Sequence, residues 1–539
     1  MTFPPLPPES ASDPSDGAGA DYDNDPYVNV TFDFTAPHFV FGAARLFGLD
    51  APKLDGARIL ELGCGRGGNL IALAYYNPNA QFVGVDLARR QIDEARGLAE
   101  CLKLPNVRFE HMSVEDIQDS FGEYDYIFAH GLLSWTPPAV RKKIFSVSKR
   151  NLAPGGLAML SFNALPGWHS VRGLRDLMLF HARNTPEMAQ RVRMGREIVE
   201  LLSKQSIQTP PLVQAAKREA AIFGRAPDNY IIHDHLGAHN HAYYLTEFAE
   251  IARESGLRFV TDTDISMLGM ALLPEPARRV ALSGADMIEQ QQYCDFFVDQ
   301  RFRRAILCHE DARPVYRIDT EIIEKLQFIP KKPIPDEIRN LRPREVREVS
   351  WSCGLFSQKT SDPLTVAALR NIGGRSPQLA TGAEIADAAV DEAFAGEALD
   401  APARADRRQR VLAYLTNSTL QGFFLPASER PAGRPSGDAS KPRFNTLVRK
   451  RMEDSEASAA TSLHLEFRFD DLDRLLAPLM DGRRTAEEIM ESVSQRAARG
   501  EIRLNAPANA QAPTSEPDSR AAQLVKVKLA AYAAHGLLE

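Results

Sequence analysis

Between residues 57 and 163 the chain alternates two kinds of hydrophobic pattern. ARILELG (57–63), QFVGVD (81–86), VRFEHMS (107–113), YDYIFAH (124–130) and LAMLSFN (157–163) are short apolar runs bounded by turn residues, the pattern of strands. Between them, GGNLIALAYYN (67–77), LARRQIDEARGLAECLKL (87–104) and PPAVRKKIFSVSKRNL (137–152) place apolar residues three and four apart, as one face of a helix requires. The last opens on prolines, which suit a first turn because the missing N–H would be unpaired there anyway. Strict alternation predicts an α/β, Rossmann-like unit with a parallel sheet covered on both faces.

Beyond this unit the pattern becomes mainly helical. QYCDFFVDQRFRRAIL (292–307) has helical spacing, so its Phe residues are expected in a helical core and Arg301, Arg303 and Arg304 on a solvated face. Segments 361–426 and 463–539 each carry helical stretches ending in a short apolar run, TLQGFFLP and AAHGLLE. LTVAALRNIG and EEIMESVSQRA within them have the length of the small helices of winged-helix units, a diverged pair. Composition sets the boundaries. The acidic, Pro/Ser/Gly-rich segment 1–25 is expected to be disordered, 427–442 to be a linker and 505–519 a linker or long loop. The compact blocks are then 26–175, 176–315, 316–426 and 443–539.

The 539 residues agree with that division, at roughly 100–200 residues per domain. A net charge of −7 argues against a nucleic-acid coat or a polybasic membrane binder. Five cysteines with no CxxC pair argue against a disulfide framework or a zinc cluster and fit a reducing, cytoplasmic compartment. Neither a signal-peptide pattern nor an uninterrupted apolar stretch long enough to span a membrane is present, so no membrane insertion is expected.

Gly63, Gly65 and Gly68 form G-x-G-x-x-G between the first strand and the first helix. Glycine lets the backbone turn sharply and approach a ligand closely. The motif alone also suits an NAD site or a turn without a ligand. Glu61, two residues before the first glycine, tells against a diphosphate, which it would repel, and suits a cationic aminoacyl group. Asp86 ends the second strand, where a carboxylate can accept both ribose hydroxyls, in NAD enzymes as well.

ILELGCGRGGNL and GVDLARRQI resemble class I S-adenosylmethionine-dependent methyltransferases. AARLFGL (43–49), HGLLSWTPPAVR (130–141) and NLAPGGLAMLSFNALPGWH (151–169) narrow the resemblance to the bacterial, rickettsial-type protein-lysine methyltransferases that carry a methyltransferase regulatory domain. NYIIHDHLGAHNHAYYLTEFAEIARESGL (229–257) and QQYCDFFVDQRFRRAILCH (291–309) resemble that regulatory domain, and LLAPLMDGRRTAEEI (475–489) the C-terminal winged-helix-like domain. The resemblance implies that Glu61, Gly63 and Gly65 meet the methionine part of the cofactor, with Asn69 closing the same motif, and that Asp86 holds the ribose. It places Ser113, Val114 and Asp116 at the adenine. Many relatives carry an acid where this chain has Ser113, which leaves Asp116 to take that contact. His130 borders both cofactor and methyl-transfer site.

Methyl transfer from a sulfonium needs alignment and a nucleophile with a free lone pair, and an amine must first lose a proton. Candidates at the strand ends are His130, Ser134, Asn163 and His169, with Trp135 and Trp168 as an aromatic wall for a lysine stem and a sulfonium charge; His130, Trp135, Asn163 and Trp168 form the expected catalytic set. His233, His235, His239 and His241 crowd together, yet no metal is expected. The family pattern matches His233, Asn240, Tyr244 and Phe248, and His233 and Tyr244 are expected at the substrate. The expected activity is methylation of protein lysines. A small-molecule N- or O-methyltransferase, or a non-catalytic S-adenosylmethionine-binding interaction protein, is the alternative. The length beyond the cofactor unit favours a large substrate, and the acidity favours protein over nucleic acid. The acceptor's identity and the oligomeric state are not legible.

Overall fold

The structure, a computed structural model, describes residues 26–27, 29–206, 210–268, 270, 273–318, 320–342, 347–354, 356–375, 378–427, 440–502 and 517–539. The segment 1–25 and most of 427–442 and 505–519 lie outside them, although Pro517–Ala534 is helical, so helix begins before the expected end of the second linker.

Five strands form the parallel sheet that the alternation predicts: β1 (Arg58–Leu62), β2 (Gln81–Asp86), β3 (Val107–His111), β4 (Tyr124–Ala129) and β5 (Leu152–Ala164). They lie in the order 3-2-1-4-5. Helices Gly68–Tyr76, Arg89–Cys101 and Pro138–Arg150 connect them. Ile59, Phe82, Tyr126 and Phe128 enter the core on one face, and Leu60, Leu62, Val83, Val85 and Ile127 that on the other. Burial on both faces is why these strands read as apolar runs rather than as an apolar–polar alternation. Strand order reverses between β1 and β4, and open α/β sheets bind ligands in the crevice at such a switch point.

The sheet does not stop at β5. Three strands from the block 176–315 continue it: β6 (Ala242–Tyr243) pairs with the end of β5, and β8 (Phe302–His309) runs antiparallel to both β5 and β7 (Leu257–Asp262). The boundary expected at 175 therefore does not separate two sheets. Between β5 and β6, helices Trp168–His181, Met188–Ser203 and Pro211–Phe223 build a cap with its own core of Leu174, Met178, Val192, Val199 and Phe223.

The run QYCDFFVDQRFRRAIL is not one helix. Helix Met287–Val298 ends at Asp299, which takes a left-handed conformation (φ +53°), and β8 follows. Because β8 is flanked by strands on both sides, Arg303 is not on a solvated face: it is fully buried. Its guanidinium makes a two-pronged contact with Asp295 (Nε–Oδ2 2.9 Å, Nη2–Oδ1 2.6 Å) and also meets Asp262. A charge at that depth is tolerated only when paired and hydrogen-bonded.

The third block packs on the face of the sheet that carries helix Pro37–Leu46. Strand Phe424–Ala427 crosses that helix so closely that a Cβ on Gly42 would lie 2.1 Å from the Pro426 carbonyl oxygen. The C-terminal block has a separate core around Phe444, Val448, Leu476, Ile489, Val493 and Tyr532, and a hairpin of Ser458–Ala460 and Glu466–Arg468. All five cysteines are free thiols. Among the described residues, no helix is long and apolar enough to cross a membrane.

Candidate functional site

The Gly-rich loop leaves β1 through left-handed turns at Gly63, Gly65 and Gly67 (φ +74°, +53° and +72°), a region that side chains disfavour. The N–H groups of Gly63 and Cys64 donate to the Val85 carbonyl, 2.8 and 3.1 Å away. Gly65 N–H donates to Asp86 Oδ2 at 2.8 Å, and Ala88 N–H to Asp86 Oδ1 at 2.9 Å. Asp86 thus ties the loop to the end of β2, and a carboxylate oxygen can accept more than one bond. Gly68 is glycine for a different reason: a Cβ there would fall 2.0 Å from Asn29 Oδ1, because the N-terminal segment crosses the helix at this point.

Glu61 is buried at the tip of β1. Asn69 Nδ2 donates to its Oε1 at 3.0 Å, while Oε2 is buried with no partner among the described residues. Burial, and secondarily the nearby Asp86, push its carboxyl up to about 8. An unpartnered buried carboxylate oxygen beside a glycine cradle fits a ligand that brings its own positive charge, as an aminoacyl ammonium does. The oxygen of Asn69 is crowded. Its Oδ1 accepts from Phe32 N–H (3.1 Å), lies 3.0 Å from Thr35 Oγ1 and faces His464 Nε2 (2.8 Å), which turns Nδ2 toward Glu61.

After β3, Ser113 caps the turn Val114–Asp116 by accepting from Glu115 N–H at 3.1 Å. Val114 is buried and Asp116 exposed.

At the end of β4, His130 Nδ1 lies 2.9 Å from Ser161 Oγ, and that hydroxyl accepts from Gly131 N–H at 3.0 Å. The rings of Phe32, Phe34 and Phe302 surround it at 4.4, 4.7 and 6.0 Å. Arg304 lies over Phe34 at 4.5 Å. Burial first, then the Arg304 charge, hold His130 down at about 3. A ring this weakly basic stays neutral at physiological pH and is a poor proton acceptor; it can orient a nucleophile.

Trp135 lies 6.4 Å from Phe302, and its Nε1 is buried without a partner among the described residues. Asn163, opposite Phe302 in the sheet, donates its backbone N–H to Ser134 Oγ (2.8 Å), and its Nδ2 is a second unpartnered buried donor. His130, Trp135 and Asn163 are therefore grouped around Phe302. Trp168 instead opens the cap helix and stacks on His235 at 6.1 Å. His233 packs on Tyr27 (4.7 Å), whose hydroxyl donates to Asp234 at 2.8 Å. Tyr244 meets His169 at 3.0 Å and Phe296 at 5.7 Å. His235 is enclosed by Phe223 and Tyr230 and His241 sits on Tyr243, so these histidines face different surroundings. Phe32, Phe34 and His464 were not among the expected site residues. The clustered aromatics of VTFDFTAPHFV mark the first two; no local signal marks His464.

The sheet order, the glycine cradle, Glu61 and Asp86 define a class I S-adenosylmethionine-dependent methyltransferase. Comparison with known proteins agrees. Residues 59–156 match a methyltransferase domain, 227–309 a domain described as a predicted methyltransferase regulatory domain, and 440–537 the PKMT C-terminal winged helix domain. Uncharacterized protein RP789 of Rickettsia prowazekii is 32% identical over 491 residues, covering 90% of this chain and 87% of its own. RP028 of the same organism is 33% identical over 240 residues, covering 44% of this chain and 96% of its own. The structure of PKMT2 from Rickettsia typhi in complex with AdoHcy superposes with a TM-score of 0.79 at 24% identity, covering 95% of this chain and all of that one. The chain belongs to the family of S-adenosylmethionine-dependent methyltransferases that join a regulatory domain and a C-terminal winged helix to the catalytic sheet.

Proposed function

We propose that this methyltransferase acts in the cytoplasm on lysine side chains of protein substrates. The observation that carries the reading is the aromatic enclosure of His130 by Phe32, Phe34 and Phe302, with Trp135 beside it. Such a wall suits an aliphatic stem ending in a cation-forming nitrogen. The likeness to PKMT2 runs through the cap, regulatory and winged-helix regions, which a small acceptor does not require. The five free thiols suit a reducing compartment.

When bound, S-adenosylmethionine supplies a methyl group activated by positive sulfur. Glu61 holds the aminoacyl ammonium, the turns at Gly63 and Gly65 let the backbone approach it, and Asp86 accepts the ribose hydroxyls. Ser113 and Val114 border the adenine, with Asp116 at the rim. The Arg304 charge over Phe34 disfavours a second cation, so the amine enters neutral, its proton passing to water. His130, neutral, and Asn163 Nδ2 orient the nucleophile, and Trp135 walls the stem. Trp168, His233 and Tyr244 line the approach of the substrate from the cap side.

The test is incorporation of tritiated methyl groups by the full-length protein into extracts of its own organism, followed by mass spectrometry of a deletion strain. Label in protein, with methyllysine peptides lost on deletion, is expected. Label confined to small metabolites would establish the small-molecule reading instead.

A further inference from the structure

The helix that leaves the glycine cradle is overlaid by a domain that lies almost four hundred positions further along the chain. His464 sits in the turn between strands Ser458–Ala460 and Glu466–Arg468 of the winged-helix domain, and its imidazole reaches Asn69. The docking is continuous. Tyr76 Oη donates to the Ala460 carbonyl at 3.1 Å, Asn445 Nδ2 donates to Tyr76 Oη at 3.0 Å, and Arg451 donates to the Asn29 carbonyl. Asn29 in turn lies against Gly68.

His464 is 2% exposed and adopts a left-handed backbone conformation, φ +59°. That conformation costs a non-glycine residue free energy and persists where the surroundings over-determine it. Burial, and secondarily His38, hold its imidazole at about 3. It is therefore neutral, and Nε2 must carry its proton to face the Asn69 oxygen. With N–H donors from Phe32 and His464 converging on Oδ1, the Asn69 amide has one orientation, in which Nδ2 donates to Glu61 Oε1.

We propose that His464 is a positioning residue of the cofactor site: through Asn69 it fixes the Glu61 carboxylate toward the aminoacyl end of the cofactor, so that the winged-helix domain completes the site. The proposal rests on the reading that Glu61 meets that end. Without His464 the amide keeps the Phe32 N–H and Thr35 Oγ1 but loses its shortest contact, so Nδ2 is held less tightly on Glu61 and the ammonium loses a firmly fixed partner. The adenosine end, held by Asp86 and the turn after Ser113, is untouched.

The experiment measures, by calorimetry on the full chain, the affinity for AdoHcy and for 5′-methylthioadenosine, which shares the adenosine but lacks the aminoacyl group. His464→Ala is expected to weaken AdoHcy about tenfold and to leave methylthioadenosine unchanged. His464→Gln, which can present an amide N–H to Asn69, is expected to recover most of the loss. Glu61→Gln is expected to weaken AdoHcy at least as much, again sparing methylthioadenosine. If His464→Ala does not fold, His464→Phe, which fills the space without a donor, replaces it. Equal weakening of both ligands by the His464 variant would make its role structural and overturn the proposal. Wild-type AdoHcy affinity in that variant, with Glu61→Gln impaired, would overturn it while leaving the reading of Glu61 intact. Wild-type affinity in Glu61→Gln would overturn that reading, and the proposal with it.

Discussion

Phe32 and His130 meet edge to face, ring centroids 4.4 Å apart, and this contact brings the N-terminal segment to the end of β4. Phe34 adds a second edge at 4.7 Å, so the segment forms part of the wall around the proposed methyl-transfer site. Phe32→Ala removes one ring of that wall but keeps the backbone N–H that donates to Asn69. The expected result is a fall of about tenfold in kcat/KM, the scale of one lost aromatic contact and its packing, with a much smaller change in AdoHcy affinity. Steady-state methyl transfer and calorimetry on the same variant check it. An unchanged kcat/KM would remove Phe32 from the site.

Asp86 has two tasks. It receives Gly65 N–H and Ala88 N–H, which sets the loop, and it is the acceptor proposed for the ribose hydroxyls. Asp86→Ala removes both, so cofactor affinity is expected to fall by at least about a hundredfold, the sum of two charge-assisted contacts. Titration of the variant with AdoHcy decides it; affinity within a few fold of the parent would sink the proposed cofactor geometry.

How far the sequence carried depends on whether the deciding contact was local. Gly63, Glu61 and Asp86 were legible because a strand, a turn and a helix follow one another within one βαβ unit, and their spacing alone brings them together. Arg303 is not legible, because periodicity over a short apolar run does not separate helix from buried strand; β5 and β7 on either side, with Asp262 and Asp295, decide between them. Gly68 looked like a ligand-binding glycine, although Asn29 dictates it. That Asn69 also meets His464 is not legible, because this partner arrives only when a distant domain docks, and no local pattern encodes that. Closeness to β5 in sequence puts Trp168 near the sheet edge; its stacking on His235 depends on the cap helix that it begins and is not legible locally.

The buried Arg303 carries a stability prediction. Both its partners are also buried, Asp262 and Asp295 at 0% exposure. Arg303→Leu leaves two carboxylates without their cation, and the loss is expected to be about 3–5 kcal/mol. Arg303→Lys, which cannot make the two-pronged contact with Asp295, is expected to lie between. Urea unfolding monitored by fluorescence tests the order. A leucine variant within about 1 kcal/mol of the parent would show that the two carboxylates find protons or water at little cost.

Buried titrating groups predict opposing dependences of stability on pH. His38, His130, His235 and His464 are each held at about 3 against an ordinary 6.5, chiefly by burial. Between those values the unfolded chain binds protons that the folded chain refuses, so each histidine costs stability as pH falls below 6.5. Glu61 acts in the opposite sense. Its carboxyl, raised to about 8, keeps a proton in the folded state that the unfolded state has lost, so its contribution fades as pH rises from about 4.5 to 8. Asp234, at about 7, has the same sign over a narrower window. Two variants separate the limbs. Neither ring nitrogen of His235 has a hydrogen-bond partner among the described residues, so His235→Leu removes one acid penalty without breaking a bond seen there. It is expected to raise stability at pH 5, relative to its effect at pH 8, by about 2 kcal/mol. Glu61→Gln, measured without cofactor, is expected to flatten the decline between pH 6.5 and 8. Denaturant titrations at pH 5, 6.5 and 8 read both, and an effect of His235→Leu that is equal at pH 5 and pH 8 would mean that this imidazole titrates normally in the folded protein.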